Sequence, residues 1–242
     1  MEPIILVYPL TKKSKKFKMT GDTMREVIIA PSILAADYGN FKEQVQLVEQ
    51  GGAQYLHIDV MDGNFVPNIT FGQGLVGALR KYTNLVLDVH LLIDKPERFV
   101  KEFADLGADI ITFHLEATLD PMKTIEAIRS CHKKVGISIR PQTPVSAVKQ
   151  YLDLVDVIMI MSVNPGYGGQ EFLPETILRI QELKKMIGSR EVDIEVDGGI
   201  QFDNIFEITK SGANVIVTGT TVFRSNNIKE AIQKLKDYCY TE

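Results

Sequence analysis

Residues 52–63 read Gly-Ala-Gln-Tyr-Leu-His-Ile-Asp-Val-Met-Asp-Gly, and this stretch contains the unit from which the chain is built. A Gly-Ala pair before a short apolar run is typical of a helix end that leads into a strand, because glycine adopts the left-handed cap conformation at low cost. The same pair recurs at Gly107-Ala108 and at Gly212-Ala213. We therefore interpret the chain as a repeat of strand and helix.

Apolar, β-branched runs alternate with amphipathic stretches from residue 27 onward, which predicts repeated βα units and a parallel sheet. The predicted strands are 27–32, 55–60, 85–91, 109–114, 135–140, 157–162, 193–196 and 214–218. The predicted helices include 40–50, 96–106, 122–131, 145–152, 175–186 and 202–210. Eight units with no remainder favour an α/β fold made of a single (β/α)8 TIM barrel with parallel strands. The alternative is a Rossmann sheet, but no GxGxxG follows the first predicted strand.

The length of 242 residues suits one barrel domain, although two domains remain possible on length alone. We predict that residues 1–24 are a flexible N-terminal extension and that residues 25–242 form the barrel. The apolar stretch 4–10 precedes the basic cluster 12–18, which is the reverse of the order in a secretory signal.

Composition limits the partners and the location. The net charge of −4 predicts no general attraction to nucleic acid or to membranes, so a ligand phosphate must be held locally. The two cysteines, Cys131 and Cys239, show no CxxC spacing, which favours a reducing, cytoplasmic location. We also expect a homo-oligomer, because barrels of this kind often associate through their outer helices.

Histidines and aspartates collect at three predicted strand ends. His57 and Asp59 lie two residues apart on the second strand, His90 ends the third, and Asp197 ends the seventh. Side chains alternate along a strand, so these groups face the mouth of the barrel, where active sites of this fold lie. Two imidazoles and two carboxylates predict one divalent cation, and the absence of sulfur leaves Zn, Mn, Fe and Co open. Asp88 is expected to orient a ligand.

The other histidines are given different roles. A single histidine at a strand end is more often structural than a ligand, and His114 is predicted to support the site, since the ligand set is already complete without it. His132 is expected on the solvated surface. Met61 and Met161 are interpreted either as ordinary core residues or as an unionised wall beside the reacting carbons.

Glycine-rich turns follow the last three predicted strands. They are the segment 164–170, Gly198-Gly199 and Gly219-Thr220. Glycine lets backbone amides approach a phosphate closely, and phosphate sites after the last strands recur in this fold. One such turn would mean little, but three in succession predict a phosphate site.

These groups together predict chemistry on a carbonyl compound. A bound cation would polarise a substrate carbonyl and stabilise the enediolate formed when a proton leaves the neighbouring carbon. Carboxylates on opposite sides of the substrate could then remove and return that proton.

The chain resembles the ribulose-phosphate 3-epimerase family from Ile29 to its last helix, in the segments 30–37, 57–68, 88–91, 161–170 and 195–200. The resemblance implies a metal-dependent isomerase that interconverts D-ribulose 5-phosphate and D-xylulose 5-phosphate in the pentose phosphate pathway. It implies His57, Asp59, His90 and Asp197 as ligands of one divalent metal ion per subunit, with Asp59 and Asp197 as the acid–base pair. It implies that substrate is contacted by Ser32, Met61, His90, Met161, Gly166, Tyr167, Gly168, Gly169, Gly198, Gly199, Gly219 and Thr220.

Three positions depart from the family's pattern. Leu92 stands where methionine is common, Thr220 where serine is frequent, and Arg140 where asparagine is common. Leucine keeps an apolar wall of similar volume. Arg140 could contact a longer or more anionic substrate or pair with a surface carboxylate. A hexulose (allulose) 6-phosphate 3-epimerase therefore remains an alternative.

Two further readings change the class of protein. In a metal-free phosphate-binding barrel, such as a lyase or isomerase of tryptophan biosynthesis, the glycine turns would remain and the histidines would be structural. A non-enzymatic scaffold barrel is disfavoured, because acids and histidines crowded at strand mouths cost stability.

Overall fold

Eight parallel strands form a barrel in the computed structural model, which describes residues 17–19 and 22–240. The barrel strands in chain order are β1 (Ile28–Pro31), β2 (Tyr55–Met61), β3 (Val86–Leu92), β4 (Ile110–His114), β5 (Lys134–Ile139), β6 (Val157–Met161), β7 (Asp193–Asp197) and β8 (Val215–Thr218). Each of these strand bounds lies within one residue of its predicted position. The predicted fold class is confirmed.

The barrel closes between its first and last strands. β8 pairs in parallel with β1, with Val215 opposite Ile28 and Thr218 opposite Pro31. On the other side of β1, Ser32 forms a parallel bridge with His57, and the amide of Gln54 donates to the Ile29 carbonyl at 3.3 Å. Closure leaves the strands' carboxyl ends around one mouth, which brings together residues that are far apart in the chain.

Helices cover the outside of the barrel. They are α1 (Phe41–Gln50), α2 (Gln73–Leu79), α3 (Val100–Asp105), α4 (Pro121–Ser130), α5 (Thr176–Ile187), α6 (Ile205–Ser211), α7 (Thr220–Phe223) and α8 (Ile228–Tyr238). The segment predicted at 145–152 is instead a 3₁₀ helix, Val145–Tyr151, in which the Ala147 amide donates to Pro144 three residues back. The segment predicted at 96–106 is divided into the 3₁₀ turn Pro96–Arg98 and α3.

The core is layered. A large apolar cluster fills the space between the strands and the helices, and a small one plugs the barrel near the strands' amino ends with Tyr55, Ile110, Val157 and Val215 among its members. Above that plug the inward residues become polar. The register places His57 beside Asp88 and Asp59 beside His90, so two polar layers lie directly under the mouth.

The N-terminal extension is described only in part. Phe17–Met19 and Asp22–Met24 pair as a two-stranded antiparallel sheet, while residues 1–16 and 20–21 of the predicted extension lie outside the described residues. The domain boundary after residue 24 stays a prediction. No helix among the described residues is long and apolar enough to span a membrane.

Two glycines give a test of how tightly the barrel is packed. Gly136 on β5 lies opposite Thr112 on β4, and a Cβ added there would lie 2.1 Å from the Thr112 Oγ1. We expect Gly136→Ala to lower the free energy of unfolding by about 1–3 kcal/mol, because a filled interior must shift to accept a methyl group. Urea denaturation measures the change.

Gly74 is the matched control. It is exposed on α2, and a Cβ there would meet nothing within 4 Å. We expect Gly74→Ala to raise the free energy of unfolding by about 0.4–1 kcal/mol, because alanine has less conformational freedom to lose. Equal effects of the two substitutions would contradict the described packing of the barrel.

Candidate active and metal-binding site

Four side chains converge at the barrel mouth, and we call His57, Asp59, His90 and Asp197 the ligand cluster. Each offers one nitrogen or oxygen atom, and these atoms all lie within 4.8 Å of one another. The Asp59 Oδ1 lies 3.2 Å from the His57 Nε2 and 3.1 Å from the His90 Nδ1. The His90 Nδ1 lies 3.9 Å from the Asp197 Oδ2. The structure therefore brings together the four predicted ligands.

The residues around His57 determine which nitrogen it presents. Its Nδ1 lies 2.6 Å from the Asp88 Oδ2, and a carboxylate can only accept, so Nδ1 carries the proton in that bond. The Nε2 then faces Asp59 with a free lone pair when the ring is neutral. Asp88 thus has the orienting position predicted for it, which is a common arrangement behind ligating histidines.

Glu195 extends this arrangement one residue deeper. It is 1% exposed, and its Oε1 lies 3.5 Å from the His57 Nδ1. Burial raises the pKa of Glu195 well above its usual range and the Asp88 charge adds to that effect, which favours the neutral carboxyl. Sequence reasoning missed Glu195, although its position two residues before Asp197 on the same strand was a usable signal.

The two cluster carboxyls differ in acidity. Burial raises the pKa of Asp59, but the charge of His57 and hydrogen bonds to His57 and His90 outweigh it and lower the pKa below its usual range. Burial raises the pKa of Asp197 to about 7, and the nearby Asp59 charge adds to the rise. Two carboxyls held at different acidities in one site are suited to separate acid and base roles.

These residues fit a divalent cation. Burial lowers the pKa of His57, but the charges of Asp59 and Asp88 and the hydrogen bonds to them outweigh it and raise the pKa well above its usual range. Without a cation, this ring therefore carries an extra proton between two carboxylates. A cation beside the Nε2 would replace that proton and join the two imidazole nitrogens to the two carboxylate oxygens. The donor set suits Zn, Mn, Fe or Co, and the geometry does not select among them.

A pocket of about 710 Å³, counted to its open mouth, lies directly above Asp59 and Asp197. All but one of the residues predicted to contact substrate line it: Ser32, Met61, Met161, Gly166, Tyr167, Gly168, Gly169, Gly198, Gly199, Gly219 and Thr220. The exception is His90, which is fully buried behind Asp59 and is not among the lining residues. The predicted substrate contact of His90 stays a prediction, and the structure places this residue in the ligand cluster.

Comparison with known proteins identifies the family. The model of the ribulose-phosphate 3-epimerase family matches residues 28–223. The chain belongs to this family. It is 44% identical over 217 residues to the ribulose-phosphate 3-epimerase of Synechocystis sp., covering 88% of this chain and 94% of that protein. It is 45% identical over 215 residues to the chloroplastic ribulose-5-phosphate-3-epimerase of Arabidopsis thaliana, covering 87% of this chain and 76% of that protein.

The fold is shared more widely. The crystal structure of KGPDC from Streptococcus mutans matches with a TM-score of 0.66 over 88% of this chain and 97% of that one, at 17% identity. This likeness concerns the fold alone. Membership of the ribulose-phosphate 3-epimerase family makes the chain an isomerase, as predicted.

In this epimerase the glycine-rich loop, residues 164–170, spans the pocket mouth and is tied to the loop after β2. The Tyr167 hydroxyl donates to the Pro67 carbonyl at 2.8 Å, and the side-chain Nδ2 of Asn68 donates to the Gly166 carbonyl at 2.9 Å. The Gln170 side chain bonds the carbonyls of Asn164 and Tyr167 within the loop. These hydrogen bonds hold the loop in a defined shape over the pocket.

Gly198 and Gly199 are required by their surroundings. Both have a positive φ, of 119° and 66°, which side chains other than glycine rarely adopt. A Cβ would lie 2.4 Å from a Val163 methyl at Gly198 and 2.4 Å from the Phe172 amide at Gly199. The turn after β7 therefore requires glycine at both positions, and both glycines line the pocket.

Arg140 lies outside the pocket lining. Its guanidinium stacks 4.1 Å from the centre of the Phe65 ring, and its Nη2 donates to the Phe65 carbonyl at 2.9 Å. Neither expected role, substrate contact or pairing with a surface carboxylate, describes this arrangement. Leu92 does line the pocket, so the apolar wall expected there is present.

The remaining histidines have contrasting surroundings. His132 is exposed, as predicted. His114 is fully buried, and its Nε2 lies 3.0 Å from the His90 Nε2. Burial lowers the pKa of His114 to about 4, against the opposing effect of Glu116, so the ring is neutral at physiological pH.

Proposed function

We propose that this protein interconverts D-ribulose 5-phosphate and D-xylulose 5-phosphate by removing and returning the proton on the third carbon. The observation that carries the proposal is the pair Asp59 and Asp197, which line one pocket from β2 and β7 and lie within 4.8 Å of two imidazole nitrogens. Inversion of one carbon needs a base on one face and an acid on the other, and the pair supplies both.

The ligand cluster is proposed to hold one divalent cation. When bound, the cation would supply Lewis-acid polarisation of the substrate carbonyl, which makes the neighbouring proton easier to remove. His57 and Asp88 orient the cluster from below, and the Ser32 hydroxyl donates to the Asp59 Oδ2 at 2.6 Å. Those bonds hold Asp59 in a single orientation for proton transfer.

The acid and base roles exchange with the direction of the reaction. A carboxylate that takes the proton on one face leaves an enediolate, and the opposite carboxyl returns a proton on the other face. Met61 and Met161 line the same pocket and are nearly fully buried. Such an apolar wall excludes water from the reacting carbons and limits unproductive proton exchange.

The phosphate is proposed to bind where the turns after β6, β7 and β8 meet. Within the described part of the chain, the residues that line the pocket include no lysine or arginine. A phosphate dianion must therefore be held by backbone amides and by hydroxyls such as that of Thr220. Gly198 and Gly199 both line the pocket, which supports this assignment.

The pentulose substrate is favoured over the hexulose. Arg140, the departure that raised the alternative, stacks on Phe65 and is not among the residues that line the pocket. The test compares turnover of ribulose 5-phosphate with that of allulose 6-phosphate and follows deuterium incorporation at the third carbon in D₂O. We expect the pentulose to have the higher kcat/KM, and faster turnover of allulose 6-phosphate would contradict the proposal.

A cytoplasmic location and a homo-oligomer remain predictions. The two cysteines are free thiols in the structure, which is compatible with a reducing compartment. Analytical ultracentrifugation of the purified protein tests the oligomeric state.

A further inference from the structure

A hydrogen-bonded chain of side chains runs behind the ligand cluster, away from the substrate pocket. The His90 Nε2 lies 3.0 Å from the His114 Nε2, and the two rings stack with centroids 4.9 Å apart. The His114 Nδ1 lies 3.3 Å from the Glu116 Oε2. Neither His114 nor Glu116 lines the pocket.

The hydrogen bonds in this chain of side chains have a defined donor-to-acceptor direction, because the outermost group, Glu116, is a carboxylate. Burial raises the pKa of Glu116, but hydrogen bonds from His114, Thr143 and the Arg140 amide outweigh it and lower the pKa to about 2. An ionised carboxylate can only accept hydrogen bonds, so His114 donates from Nδ1. The 3.0 Å contact between the two Nε2 atoms needs one donor and one acceptor, so with a cation at the His90 Nδ1 the His90 Nε2 donates and the His114 Nε2 accepts.

We infer that His114 and Glu116 are positioning residues that keep the proton of His90 on Nε2 and leave the Nδ1 lone pair facing Asp59 and Asp197. The inference rests on the proposed function, because the free lone pair matters only if the ligand cluster binds a cation. With a cation at the His90 Nδ1, the His90–His114 contact and the His114–Glu116 contact each contain one donor and one acceptor. With the His90 proton on Nδ1 instead, the Nε2 lone pairs of His90 and His114 would face each other at 3.0 Å.

The outer end of the chain is held in place from several sides. The Glu116 Oε1 accepts from the Arg140 amide at 2.9 Å and also from the Thr143 hydroxyl. The Phe65 and His114 ring centroids lie 4.9 Å apart, and the Arg140 guanidinium lies 4.1 Å from the centre of the same Phe65 ring. His114 therefore cannot rotate without disturbing the loop after β5, which gives Arg140 a role in this chain.

Variants of His114 separate positioning from simple packing. His114→Leu keeps an apolar side chain of similar size but removes both hydrogen bonds, and we expect zinc affinity to fall at least about tenfold in a chelator competition. His114→Gln places an amide oxygen near the former Nε2 and an amide nitrogen toward Glu116, so it should recover most of that affinity. His132→Leu is the matched control, because it makes the same exchange at an exposed position outside these hydrogen bonds, and it should leave zinc affinity unchanged.

The tautomer of His90 gives a readout that does not depend on activity. The whole protein contains four histidines. Long-range ¹H–¹⁵N spectra of the zinc-loaded protein can therefore be assigned by single variants, with exposed His132 as the reference. We expect the His90 proton on Nε2 and the His114 proton on Nδ1. Should His114→Leu fail to fold, this measurement on the unmodified protein and the His114→Gln affinity still decide the question.

The outcomes distinguish this inference from the proposed function. Unchanged zinc affinity in His114→Leu, or a His90 proton on Nδ1 in the zinc-loaded protein, would overturn the inference while wild-type turnover persisted. Failure of the proposed function would instead appear in the unmodified protein, as turnover without any bound cation or as no epimerisation at all.

Discussion

Replacement of Asp197 by asparagine is expected to lower kcat for ribulose 5-phosphate by roughly a thousandfold or more, since it removes a proton-transfer group and a cation ligand together. Asp197 lines the pocket, its side chain is 16% exposed, and burial raises its pKa to about 7. Asparagine has nearly the same volume, but its side chain does not take up or release a proton near neutral pH. Exchange of the proton on the third carbon with D₂O, followed by NMR, should stop along with turnover.

Asp193→Asn is the matched control for this substitution. Asp193 begins the same strand, β7, and its carboxylate accepts from Arg25 and Asn214 at the opposite end of the barrel. We expect this variant to keep wild-type kcat, and both variants to show cooperative thermal unfolding. Wild-type turnover in Asp197→Asn, with a correct fold, would remove Asp197 from the mechanism.

Removal of divalent cations is expected to have the second largest effect. Lewis-acid stabilisation is worth several kcal/mol, so exhaustive chelation should lower kcat by roughly a thousandfold. Adding back one equivalent of Zn, Mn, Fe or Co per chain should restore turnover. The melting temperature should rise with the added ion as well, because a ligand that binds only the folded state stabilises it.

The reconstitution also tests the alternative of a metal-free phosphate-binding barrel. In that case activity would survive chelation, and elemental analysis of the active protein would find less than one ion per chain. His57→Ala provides a matched comparison, because it removes one cluster nitrogen from beneath the pocket lining. We expect added ions to restore less turnover to His57→Ala than to the unmodified protein. We expect Asp193→Asn to regain turnover as the unmodified protein does.

The barrel fold and the residues of the ligand cluster could be predicted from the amino-acid sequence alone. Alternation along a strand places His57 and Asp59 on one face, and parallel strands carry their carboxyl ends to one mouth. His90 and Asp197 could therefore be placed near them without coordinates. Local spacing was sufficient because the side-chain direction in a strand repeats every two residues.

Local pattern was less informative about helices and about contacts between loops. The segment Val145–Tyr151 has an apolar periodicity that suits either helix type, and its 3₁₀ form depends on bonds made in the folded chain. Arg140 was expected near substrate or at a surface carboxylate, but it stacks on Phe65, which is 75 residues away in sequence. No pattern near Arg140 indicates that partner.

The direction of each imidazole was decided only when the strands came together. The sequence placed Asp88, His114 and Glu195 at strand positions, but whether they touch His57 or His90 depends on strand register, barrel closure and side-chain rotamers. Hydrogen bonds are short and directional, so they select one nitrogen only after neighbouring strands are fixed to within a fraction of an ångström. The residue order thus set which groups meet at the barrel mouth, and tertiary packing set which atoms they present there.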